Sequence, residues 1–120
     1  MIYKESPEFR KDLDRLLKRF RTLESDLEKA KTNAVELYHE RGLDNRSVFE
    51  IPSYSHNEIR LYKLKKFACR ALKGKGVKSG IRIIYSFCTK TTTIEFIEMY
   101  YKGDKVNEDG GRLERYLSRI

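Results

Sequence analysis

The sequence predicts an α+β domain, with an N-terminal helical hairpin packed on a mainly antiparallel sheet of three to four strands and a short C-terminal helix. Apolar residues recur at three- and four-residue steps from Phe9 to Leu37, the signature of amphipathic helix. The stretches 59–69, 81–88 and 92–100 are instead rich in β-branched and aromatic residues and are separated by turn-forming sequence. Helices followed by a run of strands give an α+β architecture, with the helices laid on one face of the sheet.

Residues 2 to 5 can add an edge strand. Ser6 followed by Pro7 reads as a helix start, because a serine oxygen can accept from free amides while proline suits the first helical position. Phe9, Leu13, Leu16, Leu17 and Phe20 form one apolar stripe, and Leu23, Leu27, Ala30, Ala34 and Leu37 form a second. A break near Arg21, with Thr22 or Ser25 as cap, turns the region into an antiparallel hairpin, and Gly42 offers a left-handed stop. From Leu43 to Glu58 the periodicity lapses, predicting a surface connection with one short extended piece around Val48 to Ile51. Gly74, Gly76, Ser79 and Gly80 punctuate the gap between the first two long strands, and Thr89-Lys90-Thr91 makes a tight second turn. Arg112 to Ile120 can form the terminal helix after Gly110-Gly111.

At 120 residues the chain is expected to be a single domain, 1–120. No apolar run approaches the roughly 18 residues needed to cross a bilayer, and Met1 leads directly into charged sequence, so a cytoplasmic location without membrane contact is expected. Cys69 and Cys88 lack C-x-x-C spacing and read as reduced core thiols, with no metal site and no cofactor expected. His39 and His56 stand apart and read as structural. Glu24, Asp26, Glu28, Glu36 and Glu40 mostly decorate the solvent side of the second helix.

Charge is distributed unevenly. Between Ile59 and Ile94 there is no acidic residue, while ten basic ones occur: Arg60, Lys63, Lys65, Lys66, Arg70, Lys73, Lys75, Lys78, Arg82 and Lys90. The net charge of the whole chain is +8, so the remainder is slightly acidic. Clustered like charges repel one another and disfavour folding, which points to a polyanionic partner, with RNA or DNA foremost. Side chains alternate faces along a strand, so Lys63 and Lys65 share one face. If Tyr62, Leu64, Ile81, Ile83 and Tyr85 pack under the helices, Lys63, Lys65 and Arg82 converge on the open face, where the sequence places no neutralising carboxylate.

Three pieces, Tyr62-Lys63-Leu64-Lys65, Gly80-Ile81-Arg82-Ile83-Ile84-Tyr85 and Ile94 through Lys105, together resemble the RelE/ParE superfamily of type II toxins. The resemblance is carried by lysines two apart, a G-x-R-x-x-Y strand start and a downstream Tyr-x-x-Asp-Lys, and it fits the order of strand, two helices and three strands. It implies a toxin of a toxin–antitoxin system of the RelE branch, a ribosome-dependent mRNA endonuclease acting without metal. The implied partners are a small antitoxin, the ribosome and mRNA. By the resemblance, Lys63 and Lys65 match the paired lysines, Arg82 the strand arginine and Lys102 a basic position past the last strand. Arg60, Arg70, Lys73, Lys75 and Lys78 are the further candidate RNA-binding cations.

Cleavage of RNA requires deprotonating a ribose 2′-hydroxyl, stabilising a phosphorane and protonating the departing 5′-oxygen. Crowded cations depress one another's pKa, so the expectation is that one lysine loses its proton near neutrality and acts as base while Arg82 grips the phosphate. RelE-type nucleases often carry a tyrosine beyond the last strand, whereas Val106-Asn107-Glu108-Asp109 has none. Tyr116 can return to the site as a further RNA-binding residue, or Tyr100 and Tyr101 can supply an aromatic platform. Two alternatives remain open at this point: a ParE-like DNA gyrase inhibitor, and a non-catalytic RNA-binding module of the same fold.

Overall fold

The computed structural model describes residues 1–55, 58–76 and 78–120, so His56 lies outside the described residues. The elements run β1 (Ile2–Glu5), α1 (Pro7–Leu17), α2 (Leu23–Ala30), a π-helical turn (Lys31–Glu36), α3 (Leu37–His39), β2 (Val48–Glu50), β3 (Ile59–Leu64), β4 (Ile81–Cys88), β5 (Thr93–Tyr101) and α4 (Gly110–Ser118). The sheet has five strands in the order β1-β5-β4-β3-β2, not three to four. The edge strand offered by residues 2 to 5 forms, and one further strand is added at the other edge. β1 pairs in parallel with β5, and the short extended piece, read from the sequence as part of a connection, pairs antiparallel with β3 as β2. Pro52 falls just past that edge strand, where its missing N–H costs nothing.

The break in the hairpin falls where the sequence places it, and its chemistry differs from expectation. Ser6 caps α1 by accepting from Phe9 N at 3.1 Å. Thr22 sits at the start of α2 without capping it: its hydroxyl donates to Asp26 Oδ2 at 2.6 Å and accepts from Ala71 N at 2.9 Å, tying the helix to the loop after β3. The π turn fits more residues per turn than an α-helix, so it rotates the end of the second helix. Leu37 consequently misses the core, and Tyr38 and His39 face the sheet in its place.

One core lies between the helices and one face of the sheet, with Phe9, Leu13, Leu23 and Leu27 packed on Leu64, Ile83, Tyr85 and Phe96. A second, smaller core lies on the opposite face, where Leu113 and Tyr116 of α4 cover Leu61, Ile84, Ile97 and Tyr100. The face expected to be open is therefore covered at one end. β3 ends at Leu64 rather than at Cys69: Phe67 and Cys69 turn into the first core, and Phe67 makes an isolated parallel bridge to Lys78.

Register shifts once, between β4 and β5. Ile84 pairs with Glu98 and Tyr85 with Phe96, leaving Ile97 as the extra residue of a β-bulge. β5 also outruns β1, and side chains occupy its free edge: Asp12 accepts from Met99 N at 3.0 Å, and Arg112 donates to the Ile97 carbonyl at 3.0 Å.

His39 is a titratable group packed against the first core. Its ring lies among Tyr62, Tyr85 and Phe87, with Nε2 2.8 Å from the Tyr85 hydroxyl. Burial pushes its pKa down to about 4. A depressed imidazole contributes stability that is full above its unfolded value near 6.5 and lost as pH falls through 4, of the order of 2–3 kcal/mol. Denaturant titrations at pH 7 and pH 4 should show this loss, and His39→Asn should remove that part of the pH dependence.

Among the described residues, no helix is long and apolar enough to cross a membrane.

Candidate functional site

The end of the second sheet face that α4 leaves uncovered is lined by cations from three successive segments. Lys63 stands on β3 opposite Ile84, Lys65 follows at the strand end, Arg82 is the second residue of β4 opposite Tyr100, and Lys102 comes one residue after β5. Strand alternation puts Lys63 and Arg82 on the same face as Leu61 and Ile84. Backbone bonds fix the rest, with Lys65 N donating to Ser47 O at 2.9 Å and Lys102 N to Gly80 O at 2.8 Å.

Lys63, Lys65, Arg82 and Lys102 line one groove of about 190 Å³, whose other walls are Tyr100, Val106 and Asn107. The groove continues at both ends. One extension, about 370 Å³, adds Arg46, Lys66 and Lys78 to the walls formed by Lys65, Arg82 and Lys102; the other, about 210 Å³, is bounded by Lys63, Lys65, Glu108 and Phe49. Lys65 is common to all three spaces, so it stands at the centre. Arg82 is held by a 2.8 Å bond from Nη1 to the Lys65 carbonyl, and Lys65 Nζ lies 4.7 Å from the Phe49 ring.

A carboxylate is present after all. Glu108 Oε1 lies 2.5 Å from Lys63 Nζ, with the two side chains only 18% and 15% exposed. Burial alone lowers the Lys63 pKa, but the Glu108 carboxylate and the neighbouring Tyr100 hydroxyl outweigh it and leave the ammonium raised. Burial likewise raises Glu108, yet the hydrogen bond from Lys63 prevails and holds the carboxyl below its ordinary value. Lys63 is therefore fixed in its charged form, and the expected low-pKa lysine base is not Lys63. Local sequence gave no warning, because Glu108 lies 45 positions from Lys63 and meets it only through the loop joining β5 to α4.

That loop is pinned. Glu98 is buried, contacts Lys105 and accepts from Asp109 N at 2.9 Å, while Asp109 caps α4 by accepting from Arg112 N at 3.1 Å. Arg19 pairs with Asp104 at 2.5 Å, anchoring the loop's first half to the helical side.

The remaining candidates are dispersed. Lys78 borders the larger extension of the groove. Arg60 pairs with Glu50 at 2.9 Å on another part of β3, and Arg70 lies on the helical side, where its backbone N donates to Asp26 Oδ2. Lys73 and Lys75 are exposed on the loop between β3 and β4 and line none of these spaces. Tyr116 does not return to the groove: it is buried under α4, with its hydroxyl 2.7 Å from Ser86 Oγ and 2.9 Å from Glu95 Oε1. Tyr100 is the tyrosine at the groove. Arg46, Lys66, Phe49 and Glu108 are among the groove residues missing from the candidate set read from the sequence. Cys69 is a buried free thiol and Cys88 a partly exposed one.

No protein-family model matches the chain, and no curated protein does. In three dimensions the chain is similar to a chain of the archaeal RelE–RelB complex from Pyrococcus horikoshii OT3, with a TM-score of 0.51 over 85% of this chain and 94% of that one. The chain has the RelE fold. Sequence identity over that match is 16%, so what is shared is the fold. On this RelE fold the basic groove is built by residues close to the ends of β3, β4 and β5.

Proposed function

We propose that the protein is the toxin of a type II toxin–antitoxin pair and that it cuts mRNA on the ribosome in the cytoplasm. The observation that carries this reading is the convergence of Lys63, Lys65, Arg82 and Lys102 on one groove of a RelE fold. Four cations around one groove suit a phosphorane, which bears more negative charge than the bound phosphodiester, so they stabilise the transition state more than the ground state. Arg82 presents a fixed fork to the phosphate oxygens, and its bond to the Lys65 carbonyl orients that fork before substrate arrives. Arg46, Lys66 and Lys78 extend the positive track along a bound strand.

The likeness to a protein solved as a RelE–RelB complex supports a small antitoxin as partner. Val106 and Phe49, 73% and 42% exposed at the rim of the groove, offer apolar anchors for a segment that masks the cations.

Induction of the wild type in cells should arrest translation, with new message 5′ ends mapping inside translated frames. Lys65→Ala with Arg82→Ala should reduce cutting at least about 100-fold, since one oxyanion-stabilising donor alone is worth that much. Normal cutting by a folded double variant refutes the reading. Translation that continues while cleaved gyrase–DNA complexes accumulate assigns the protein to the ParE type instead, and message binding without new 5′ ends marks it as an RNA-binding module.

A further inference from the structure

We infer that Glu108 is a catalytic residue, the base that takes the proton from the ribose 2′-hydroxyl, with Lys63 as the positioning residue that holds its carboxylate in the groove. This rests on the nuclease reading above. A groove that only bound phosphate would gain nothing from an anion in its wall, because a carboxylate there repels the ligand. Glu108 is nonetheless placed with care: its neighbour Asp109 is fixed through both its backbone and its side chain, and Glu108 contacts Lys63 at 2.5 Å. Exchanging such a sheltered ion pair for apolar residues is often neutral for stability, so stability alone does not call for it. Proton transfer does.

The positions along the groove fit opposite roles. Glu108 and Lys63 border one end, Lys102 borders the other, and Lys65 and Arg82 lie between. With a phosphodiester across Lys65 and Arg82, Glu108 accepts the 2′-hydroxyl proton and the 2′-oxygen attacks phosphorus. The bond from phosphorus to the 5′-oxygen then breaks, and the Lys102 ammonium gives that oxygen its proton. The products are a 2′,3′-cyclic phosphate and a 5′-hydroxyl. Glu108 then releases its proton to solvent and Lys102 regains one, so no oxidant, metal or co-reactant enters. The charged and titratable groups facing Glu108 are Lys63 from β3, Lys65 just past it, Tyr100 from β5 and Glu50 from β2, the last already paired with Arg60. Lys63, raised by its partners, stays protonated and keeps Glu108 ready to accept.

The test compares wild type, E108Q, E108D and K63M in cutting of a defined message on programmed ribosomes, under single turnover and across pH. E108Q is expected to cut about 100- to 1,000-fold more slowly, as loss of a general base does, while still binding a message with a 2′-deoxy residue at the cleavage position. E108D should recover part of the rate. The acidic limb of the wild-type profile should be absent in E108Q and shifted to higher pH in K63M, a movement that a merely structural bridge would not produce. Cutting by E108Q within about 3-fold of wild type, an unchanged acidic limb in E108Q, or 5′-phosphate ends in the product each overturn the assignment of Glu108 alone. Should E108Q not fold, a K63M profile unmoved from wild type overturns it equally. A wild type that leaves message intact overturns the nuclease reading itself.

Discussion

Replacing Asp12 by alanine is expected to destabilise the protein by about 3–5 kcal/mol, the cost of removing one partner from a buried ion pair. Asp12 is 3% exposed and accepts from Arg112 Nη1 at 2.6 Å, from Arg112 Nη2 at 3.2 Å and from Met99 N at 3.0 Å. Removing it strands two groups at once. The Arg112 guanidinium keeps only Glu8 and the Ile97 carbonyl, and the Met99 N–H, beyond the reach of β1, loses its acceptor. Because Asp12 joins α1 to α4 across the edge of β5, the loss loosens both layers together. Urea titration gives the magnitude directly. A double replacement, Asp12→Leu with Arg112→Leu, should recover part of the loss, since it removes the uncompensated charge; the Met99 amide remains unsatisfied and limits the recovery.

Phe9→Ala should cost a similar amount, about 3–5 kcal/mol, through a cavity rather than a charge. Phe9 is completely buried, and its ring stacks on Phe96 with centroids 5.2 Å apart, pressing the first turn of α1 against β5. No neighbour can refill the space easily, because Phe96 is itself held against Tyr3 and Tyr85. For a domain of this size the expected drop in thermal midpoint is about 10–20 °C. Phe9→Leu, which leaves a smaller void, should lose markedly less. Phe9 lies in the first core and the groove on the opposite face of the sheet, so the folded fraction of either variant should behave as wild type does in the cutting assay proposed above.

The parts of the fold that follow from local patterning were legible in the sequence. Ser6-Pro7, most of the two helical stripes, the break near Arg21 and the starts of the three long strands depend on neighbours within a few positions, and each lies close to where the pattern puts it, whereas the first long strand stops five residues early. What the pattern missed depends on distant partners. Val48–Glu50 becomes a strand because β3 offers it an edge, and Leu37 gives way to Tyr38 and His39 because a π turn changes the phase of the helix. In the groove, alternation along β3 and β4 sufficed to bring Lys63 and Arg82 to one face. Glu108 was invisible for a different reason: an acidic residue beyond the last strand looks like solvated loop until the turn into α4 carries it back to Lys63.

The bulge at Ile97 sets which half of β5 the groove receives. Ile94 and Phe96 point to the helical hairpin, and strict alternation would send Glu98 and Tyr100 after them; one unpaired residue reverses the parity, so that Met99 goes to the hairpin and Tyr100 to Arg82 and Lys63. If Ile97 were instead paired regularly, with no bulge, inside and outside would exchange along the last third of the strand, putting a thioether where the phenol now stands. A single inserted backbone unit thus acts as the frame in which the wall of the groove is written.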